Sequence, residues 1–214
     1  MYVRPDMFSG GIAMYRLLAV LALATGLSAC TDATRDLADP VAPLGDFKLG
    51  HAAVVAPNVQ QLLVSREATA EEWIAVTDAA LEQRFRRFEG GKFYHLGVSV
   101  EAYSLPPPVV PGKSAVAMRV TVWDDAAEAK LNEETHVINV IQVFESRLGL
   151  SKEEQMTRLA ETAAQQIEQW LREQQAEQGW FGGPDAGPET PEVSESAAPE
   201  AEEPAIAPDE LAAE

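Results

Sequence analysis

Apolar residues recur with a helical spacing of three or four in two separate segments of the chain. The first segment contains Ile74, Thr77, Leu81, Phe85 and Phe88, with Trp73, Val76 and Ala80 beside them. The second contains Met156, Leu159, Ala160, Ala163, Ile167, Trp170 and Leu171. Thr69 and Ser151 each precede a segment and have a glutamate three residues later, which is the spacing of a capping box. The pattern therefore predicts two one-sided helices, the first ending at Gly90-Gly91.

Four other segments are predicted as strands. Apolar and polar residues alternate from Tyr94 to Tyr103, with residues 94, 96, 98, 100 and 102 on one face, and again from Val116 to Trp123. Phe47–Val55 and His136–Phe144 are apolar and rich in β-branched residues. The order strand, helix, three strands, helix predicts an α+β two-layer sandwich with a largely antiparallel sheet and both helices on one face.

A short apolar run lies before the predicted domain. Residues 17–29 carry no charge and follow Arg16. Because a helix needs about 20 apolar residues to span a bilayer, this run fits a signal peptide over residues 1–29 instead. Met14 is an alternative start of the chain.

The run ends in Leu27-Ser28-Ala29-Cys30, which resembles the lipobox of bacterial lipoproteins at every position. The resemblance implies export across the inner membrane, cleavage before Cys30, and membrane anchoring by several acyl chains on that cysteine. Thr31, in place of an aspartate, implies the outer membrane, with the protein facing the periplasm. An ordinary signal peptide with an incidental cysteine is the alternative interpretation.

Charge divides the rest of the chain. The whole chain contains 34 acidic and 16 basic residues, for a net charge of −18. Residues 182–214 hold ten acidic residues and no basic ones, so the remainder carries −8. We therefore expect a lipidated cysteine and tether over residues 30–45, the domain over 46–178, and a disordered acidic Pro/Ala/Glu tail over 179–214. This charge argues against nucleic acid as a partner.

The residues with candidate chemistry do not form a recognised site. His51, His95 and His136 are each in a predicted strand without a paired metal-ligand motif, and zinc needs three or four ligands. Acidic residues crowd one loop, and they are Asp124, Asp125, Glu128, Glu133 and Glu134. Without a calcium-loop spacing, a solvated hairpin tip explains them better. No nucleophile motif or nucleotide-binding loop is present, so we expect no metal, no cofactor and no catalytic residue.

Three arginines near the end of the first predicted helix allow two interpretations. Arg84, Arg86 and Arg87 are suited to interact favourably with a helix C-terminus. Alternatively, they form a dock for an acidic partner or for the acidic tail.

Several segments within residues 45–175 resemble an uncharacterised lipoprotein family of marine and related alphaproteobacteria, which is a domain of unknown function. These segments are FKLGHAAVVA, KFYHLGVSVEAYSL, RVTVWDDAAEAKLNEETHVI and SKEEQMTRLAETAAQQIEQWL. The element order also resembles that of small envelope lipoproteins, including auxiliary lipoproteins of transport systems. Neither resemblance brings catalytic residues with it.

Three functions remain open from the sequence. The first is a non-enzymatic envelope lipoprotein that binds a protein partner. The second is lipid or small-ligand handling as an auxiliary subunit of a transport system, which requires an apolar groove between the helices and the sheet. The third is a hydrolase with an unrecognised site.

Overall fold

The computed structural model describes residues 33–62, 64–108, 110, 112–142 and 150–183. The signal segment, the motif ending in Cys30, residues 143 and 144 of the last predicted strand, and residues 184–214 lie outside the described residues. Among the residues that are described, no helix combines the length and the apolarity that crossing a bilayer would require.

The described residues form six strands and two helices. In chain order these are β1 (Phe47–Val55), β2 (Gln60–Gln61), α1 (Ala70–Phe85), β3 (Lys92–Ser104), β4 (Ser114–Asp124), β5 (Ala129–Lys130), β6 (His136–Gln142) and α2 (Lys152–Gln178). Short 3₁₀ helices at Arg35–Ala38 and Trp180–Gly182 flank them. The predicted α+β class and element order are confirmed, with the two-residue strands β2 and β5 as additions.

The sheet is mixed because one connection is a helical crossover. β1 and β3 are parallel, since α1 carries the chain back between them. β3, β4 and β6 are antiparallel neighbours, and β5 returns against the end of β4 as a hairpin. α1 packs over β1, and α2 packs over β4 and β6. Both helices therefore cover one face of the sheet, and the part of the chain that the structure describes leaves the other face open.

The predicted capping boxes of both helices are confirmed. The side chain of Thr69 accepts a hydrogen bond from the backbone N–H of Glu72, and Ser151 does the same for Glu154. α2 ends at Gly179, which adopts a left-handed conformation at φ 70°. α1 ends at Phe85 rather than at Gly90-Gly91. Gly90 instead permits a close backbone approach, because a Cβ there would lie 2.2 Å from the carbonyl carbon of Asp46.

Two β-bulges shift the predicted alternation of faces. The register changes at Gly50 in β1 and at Glu101 in β3. A bulge adds one residue to a strand and so exchanges the faces of all later residues. Tyr103 is therefore buried and Ala102 is not, which corrects the predicted position of both residues.

An aromatic cluster closes the end of the core where both helices finish. The ring of Phe47 lies within about 6 Å of the rings of Phe85, Phe88, Tyr94 and Phe181. Phe181 is buried, so residues 179–183 belong to the folded domain rather than to the predicted tail.

The two ends of the sandwich contain different elements, and we call them the strap end and the distal end. At the strap end lie the last turns of both helices, the first residues of β1 and β3, and the β4–β5 hairpin. Residues 33–46, which we call the strap, pack against this end. At the distal end lie the first turns of both helices, which Lys152 and Glu72 connect.

Candidate functional site

The strap is fixed to the helices by a buried arginine. Arg84, in the last turn of α1, is only 2% exposed. Its Nη1 donates to Asp36 at 2.9 Å and to Glu168 of α2 at 2.7 Å, while its Nη2 donates to the other carboxylate oxygen of Asp36 and to the backbone carbonyl of Ala33. One side chain thus joins the strap to both helices through charge-assisted hydrogen bonds.

Two further arginines extend this network along the strap. Arg87 donates to the backbone carbonyl of Asp36 at 2.9 Å. Arg172 of α2 donates to Glu168 at 2.8 Å and to the carbonyl of Ala42 at 3.0 Å. The backbone N–H of Asp46 then donates to the carbonyl of Phe181 at 2.8 Å. Residues 30–45 were expected to be a tether, but the described part of this segment contacts the domain at Ala33, Asp36 and Ala42.

The arginine cluster therefore has a partner that neither sequence interpretation named. Arg84 and Arg87 bind the strap, and Arg86 pairs with Glu82 and with the carbonyl of Leu49. The hydrogen bonds from Arg84 lower the pKa of the Asp36 carboxyl below its usual value. The charge on Asp36 is consequently stabilised in the folded state.

A small cavity lies under the strap. It is lined mainly by Val41, Leu44, Phe47, Phe88 and Arg87, and its volume is about 170 Å³. Ligand pockets usually measure roughly 300–1,000 Å³, so this cavity is too small for a drug-sized ligand.

The buried side of the strap end also holds a tyrosine. The ring of Tyr94 stacks on Phe47 with centroids 5.6 Å apart. Burial, with the carboxylates of Asp124 and Asp46 nearby, raises the pKa of Tyr94 to about 12. Tyr94 is therefore neutral at physiological pH.

The open sheet face carries a histidine–aspartate pair at the strap end. His95 Nε2 and Asp125 Oδ1 are 2.9 Å apart, and the Nδ1 of His95 has no hydrogen-bond partner among the described residues. Gly50 makes room for the imidazole, because a Cβ there would lie 2.6 Å from its Cε1 atom. A carboxylate can orient a histidine that activates a nucleophile, but no nucleophile is hydrogen-bonded to the Nδ1 of His95 among the described residues.

The three histidines occupy two different faces of the sheet. His51 and His95 are register partners on neighbouring strands, next to the open face. His136 is paired with the core residue Val120 and stacks on Trp170 of α2, with ring centroids 4.2 Å apart. The sheet thus separates His136 from the other two. Within the described ranges, no group of three or more metal-ligating side chains is placed to hold a metal ion.

The acidic loop between β4 and β6 is a hairpin tip. Asp124 accepts a hydrogen bond from the backbone N–H of Ala127 at 3.0 Å, which closes the turn. Residues 125–130 are exposed. Asn132 braces the base of the loop by hydrogen bonds to the backbone of β4.

Exposed apolar side chains on the open face form two groups. Phe93 and Trp123 lie at the strap end and are 48% and 38% exposed. Val137 and Ile141 lie on β6 and are 52% and 63% exposed. β6 is paired with β4 along one edge, and its other edge has no strand partner among the described residues. Such an edge is a common place for another chain to bind.

Sequence reasoning did not identify the strap contacts or the two apolar groups. One signal was present: Arg84 and Glu168 each interrupt an otherwise apolar stripe, as buried paired charges do. The outward position of Trp123 was also visible from the alternation in β4, but not its exposure.

Comparisons with known proteins give distant structural similarity only. No protein-family profile matches the chain, and a search of curated proteins finds no relative. The family resemblance seen in the sequence therefore stays a prediction.

Three solved structures share part of the arrangement. The protein XCC0632 from Xanthomonas campestris, of the family DUF330, is 12% identical and has a TM-score of 0.42, over 64% of this chain and 91% of that chain. The PelC dodecamer from Paraburkholderia phytofirmans is 14% identical with a TM-score of 0.35, over 62% and 91%. A minor lipoprotein from Acinetobacter baumannii is 14% identical with a TM-score of 0.27, over 59% and 90%. At these values, nothing about function is transferred to this chain.

Proposed function

We propose that this chain is an envelope lipoprotein, held in the outer membrane by lipid on Cys30, whose domain binds an envelope protein and catalyses no reaction. The anchor rests on the sequence Leu27-Ser28-Ala29-Cys30 behind an uncharged apolar run. The same cysteine is the only one in the chain, so it has no intramolecular disulfide partner.

The anchor is tested by metabolic labelling with an alkyne fatty acid. The wild-type chain should incorporate the label, separate into the membrane fraction and shorten when the signal segment is removed. Cys30→Ser should be unlabelled, while Ser28→Ala, which keeps a small residue in the motif, should be labelled normally. Equal labelling of Cys30→Ser and the wild type would refute the anchor.

Protein binding is carried by one observation, the exposed apolar edge strand β6. Val137 and Ile141 point away from the core of a sheet whose other face is covered by helices. An extended partner segment added to this edge would satisfy free backbone groups and cover both side chains. Isolated exposed apolar residues are common on soluble proteins, so it is their shared position on an edge with no strand partner among the described residues that supports a binding surface.

Site-specific photo-crosslinking in cells tests this surface. A photoreactive residue at Ile141 should give one discrete heteromeric product, and Val137→Glu should abolish it. The matched control is a photoreactive residue at Val55, which is 51% exposed on the opposite edge strand β1. The same product from both positions, or a product that contains only a second copy of this chain, would overturn the proposal.

The geometry gives less support to the two alternatives. The described cavity under the strap, at about 170 Å³, is smaller than a usual ligand pocket and so does not by itself support lipid handling. Hydrolysis with His95 as the base would need a nucleophile hydrogen-bonded to its Nδ1, and that atom has no hydrogen-bond partner among the described residues.

A further inference from the structure

The strap limits how far the domain can lie from its anchor. Ala33, whose carbonyl is bound by Arg84, is three residues after Cys30. Three extended residues span at most about 11 Å. If Cys30 carries lipid, the strap end must therefore lie close to the lipid headgroups, whereas an unattached tether of residues 30–45 would leave the domain free to turn.

The strap end also presents exposed aromatic side chains. Phe93 and Trp123 are diagonal neighbours on β3 and β4, because Trp123 is the register partner of His95. Lys48 of β1 lies beside them, with its Nζ 5.4 Å from the centre of the Phe93 ring. Tryptophan is enriched where protein meets the membrane interface, and lysine can keep its amine in water while its stem lies on apolar surface.

Exposed aromatic side chains are concentrated at the strap end. Among the described residues, the exposed large apolar side chains are Val55, Leu62, Val64, Phe93, Trp123, Val137 and Ile141. The two aromatic ones are both at the strap end. The aliphatic residue Ile141 is opposite Ala115, close to the distal end.

We propose that Phe93, Trp123 and Lys48 form a membrane-contact surface that rests in the headgroup region and fixes the orientation of the domain. This inference relies on the proposed anchor at Cys30. The occupant is the lipid surface itself, because the strap leaves so short a chain between the anchor and this end. The distal part of the open sheet face then stands away from the membrane, which leaves β6 accessible to a protein partner.

Aromatic burial, rather than charge, provides this contact. The nearby hairpin is acidic, with Asp124, Asp125 and Glu128, and Asp125 is paired with His95. Anionic lipids therefore repel the hairpin. Since salt screens such repulsion, higher ionic strength should leave the contact unchanged or strengthen it, opposite to a polybasic surface.

The experiment uses the chain from Cys30 onward, coupled through Cys30 to a maleimide lipid in nanodiscs of phosphatidylethanolamine and phosphatidylglycerol. Chemical coupling supplies the anchor, so the result does not depend on natural lipidation, which the labelling experiment tests separately. Tryptophan is replaced by 5-fluorotryptophan, and each ¹⁹F resonance is assigned by a Trp→Phe substitution. Lipids with a gadolinium chelate on the headgroup then report the distance of each ring from the membrane.

Trp73 serves as the internal control because it is buried near the distal end, with its ring 5.3 Å from that of Tyr103. Residues 95 and 103 are eight strand positions apart, so the two tryptophans differ by roughly 25 Å in their position along the sheet. Since paramagnetic relaxation falls steeply with distance from the gadolinium, Trp123 should relax several-fold faster than Trp73.

Two matched variants identify the surface. Phe93→Ser should reduce the relaxation of Trp123, and Val55→Ser, at a residue that is 51% exposed on β1 away from the strap end, should leave it unchanged. Similar relaxation of Trp123 and Trp73 would overturn the proposal. So would an equal effect of both serine variants, or a Trp123 resonance that responds to envelope proteins and not to lipid.

Discussion

Ion pairs connect α1 and α2 at both ends of the sandwich, and at the strap end they also bind the strap. The two sets of contacts differ in burial. At the strap end, buried Arg84 bonds Asp36 and Glu168. At the distal end, Lys152 and Glu72 meet at 2.5 Å, with side chains that are 22% and 38% exposed. A buried charge that loses its partner is strongly destabilising, whereas an exposed pair contributes little. The strap end therefore depends on its complete network, and the distal end does not depend on its pair.

The largest expected effect is from Arg84→Met. This substitution removes the partner of Asp36 and of buried Glu168, so we expect a loss of about 3 kcal/mol in the free energy of unfolding, the lower part of the usual range because Arg172 still bonds Glu168. Lys152→Met, at the exposed pair, should lose much less stability than Arg84→Met. Urea titration of both variants, in a Cys30→Ser background, measures the difference. Equal losses would remove the distinction between the two ends.

Arg84→Met should also release the strap. Limited proteolysis of the folded variant should cut within residues 33–45, while the wild type and Lys152→Met resist cleavage there. Resistance in all three chains would mean that the remaining contacts of Arg87 and Arg172 hold the strap alone.

The sequence was a good guide to elements and a poor one to long-range polar contacts. Local rules predicted the capping boxes at Thr69 and Ser151, because these depend on residues three apart. The apolar stripe of α2 was also predicted, because helical periodicity marks its buried side. The face of Tyr103 was wrong, because a bulge at Glu101 depends on how β3 pairs with β4.

The strap could not be predicted for a related reason. Asp36 and Arg84 are 48 residues apart, and nothing local relates a polar segment with two prolines to a buried guanidinium. Residues 179–183 were similarly assigned to the tail, because their glycines interrupt the helical pattern. The contacts of Phe181 with Phe47 and Tyr94 are long-range and have no local signal. Cys30, the one candidate site residue proposed from a motif, lies outside the described residues and stays a prediction.

The second prediction concerns backbone packing at the strap end. Gly90→Ala would place a Cβ 2.2 Å from the carbonyl carbon of Asp46, so the strap or the turn before β3 must move. We expect a loss of roughly 1–3 kcal/mol in stability, as for other overpacked sites. Gly97→Ala is the control, since its Cβ would meet Thr121 at an ordinary 3.9 Å. Thermal unfolding should show a lower melting temperature for Gly90→Ala only, and equal shifts would contradict the close approach.

The third prediction compares the carboxylates of the two ends in acid. Hydrogen bonds from Arg84 lower the pKa of Asp36 from 3.8, and a hydrogen bond from Lys152 lowers that of Glu72 from 4.5. Because each pKa is lower in the folded state, each stabilising contribution is complete above the unfolded value and is lost as the pH falls through the folded value.

Between pH 6 and pH 3, Asp36→Asn and Glu72→Gln should therefore each lose less free energy of unfolding than the wild type does. The difference should be less than about 1 kcal/mol for each variant, because both side chains are more than a third exposed. Urea titrations at pH 3 and pH 6 measure this dependence. The effect of Asp36→Asn should disappear in an Arg84→Met background, and that of Glu72→Gln should persist there. Persistence of both would mean that Arg84 is not the cause of the shift at Asp36.

The smallest effect is expected at His136, which is partly buried and stacks on Trp170. Burial lowers the pKa of its imidazole below 6.5, and Glu173 opposes the shift only in part. The unfolded chain therefore binds a proton more readily than the folded one between pH 6.5 and the lower folded value, so stability should fall as the pH decreases through this window. The imidazole Hε1 resonance should titrate below pH 6.5, and His136→Gln should remove this part of the pH dependence. A folded pKa above 6.5 would show that Glu173 outweighs burial, and that a partial charge pair operates at this position as well as at Arg84.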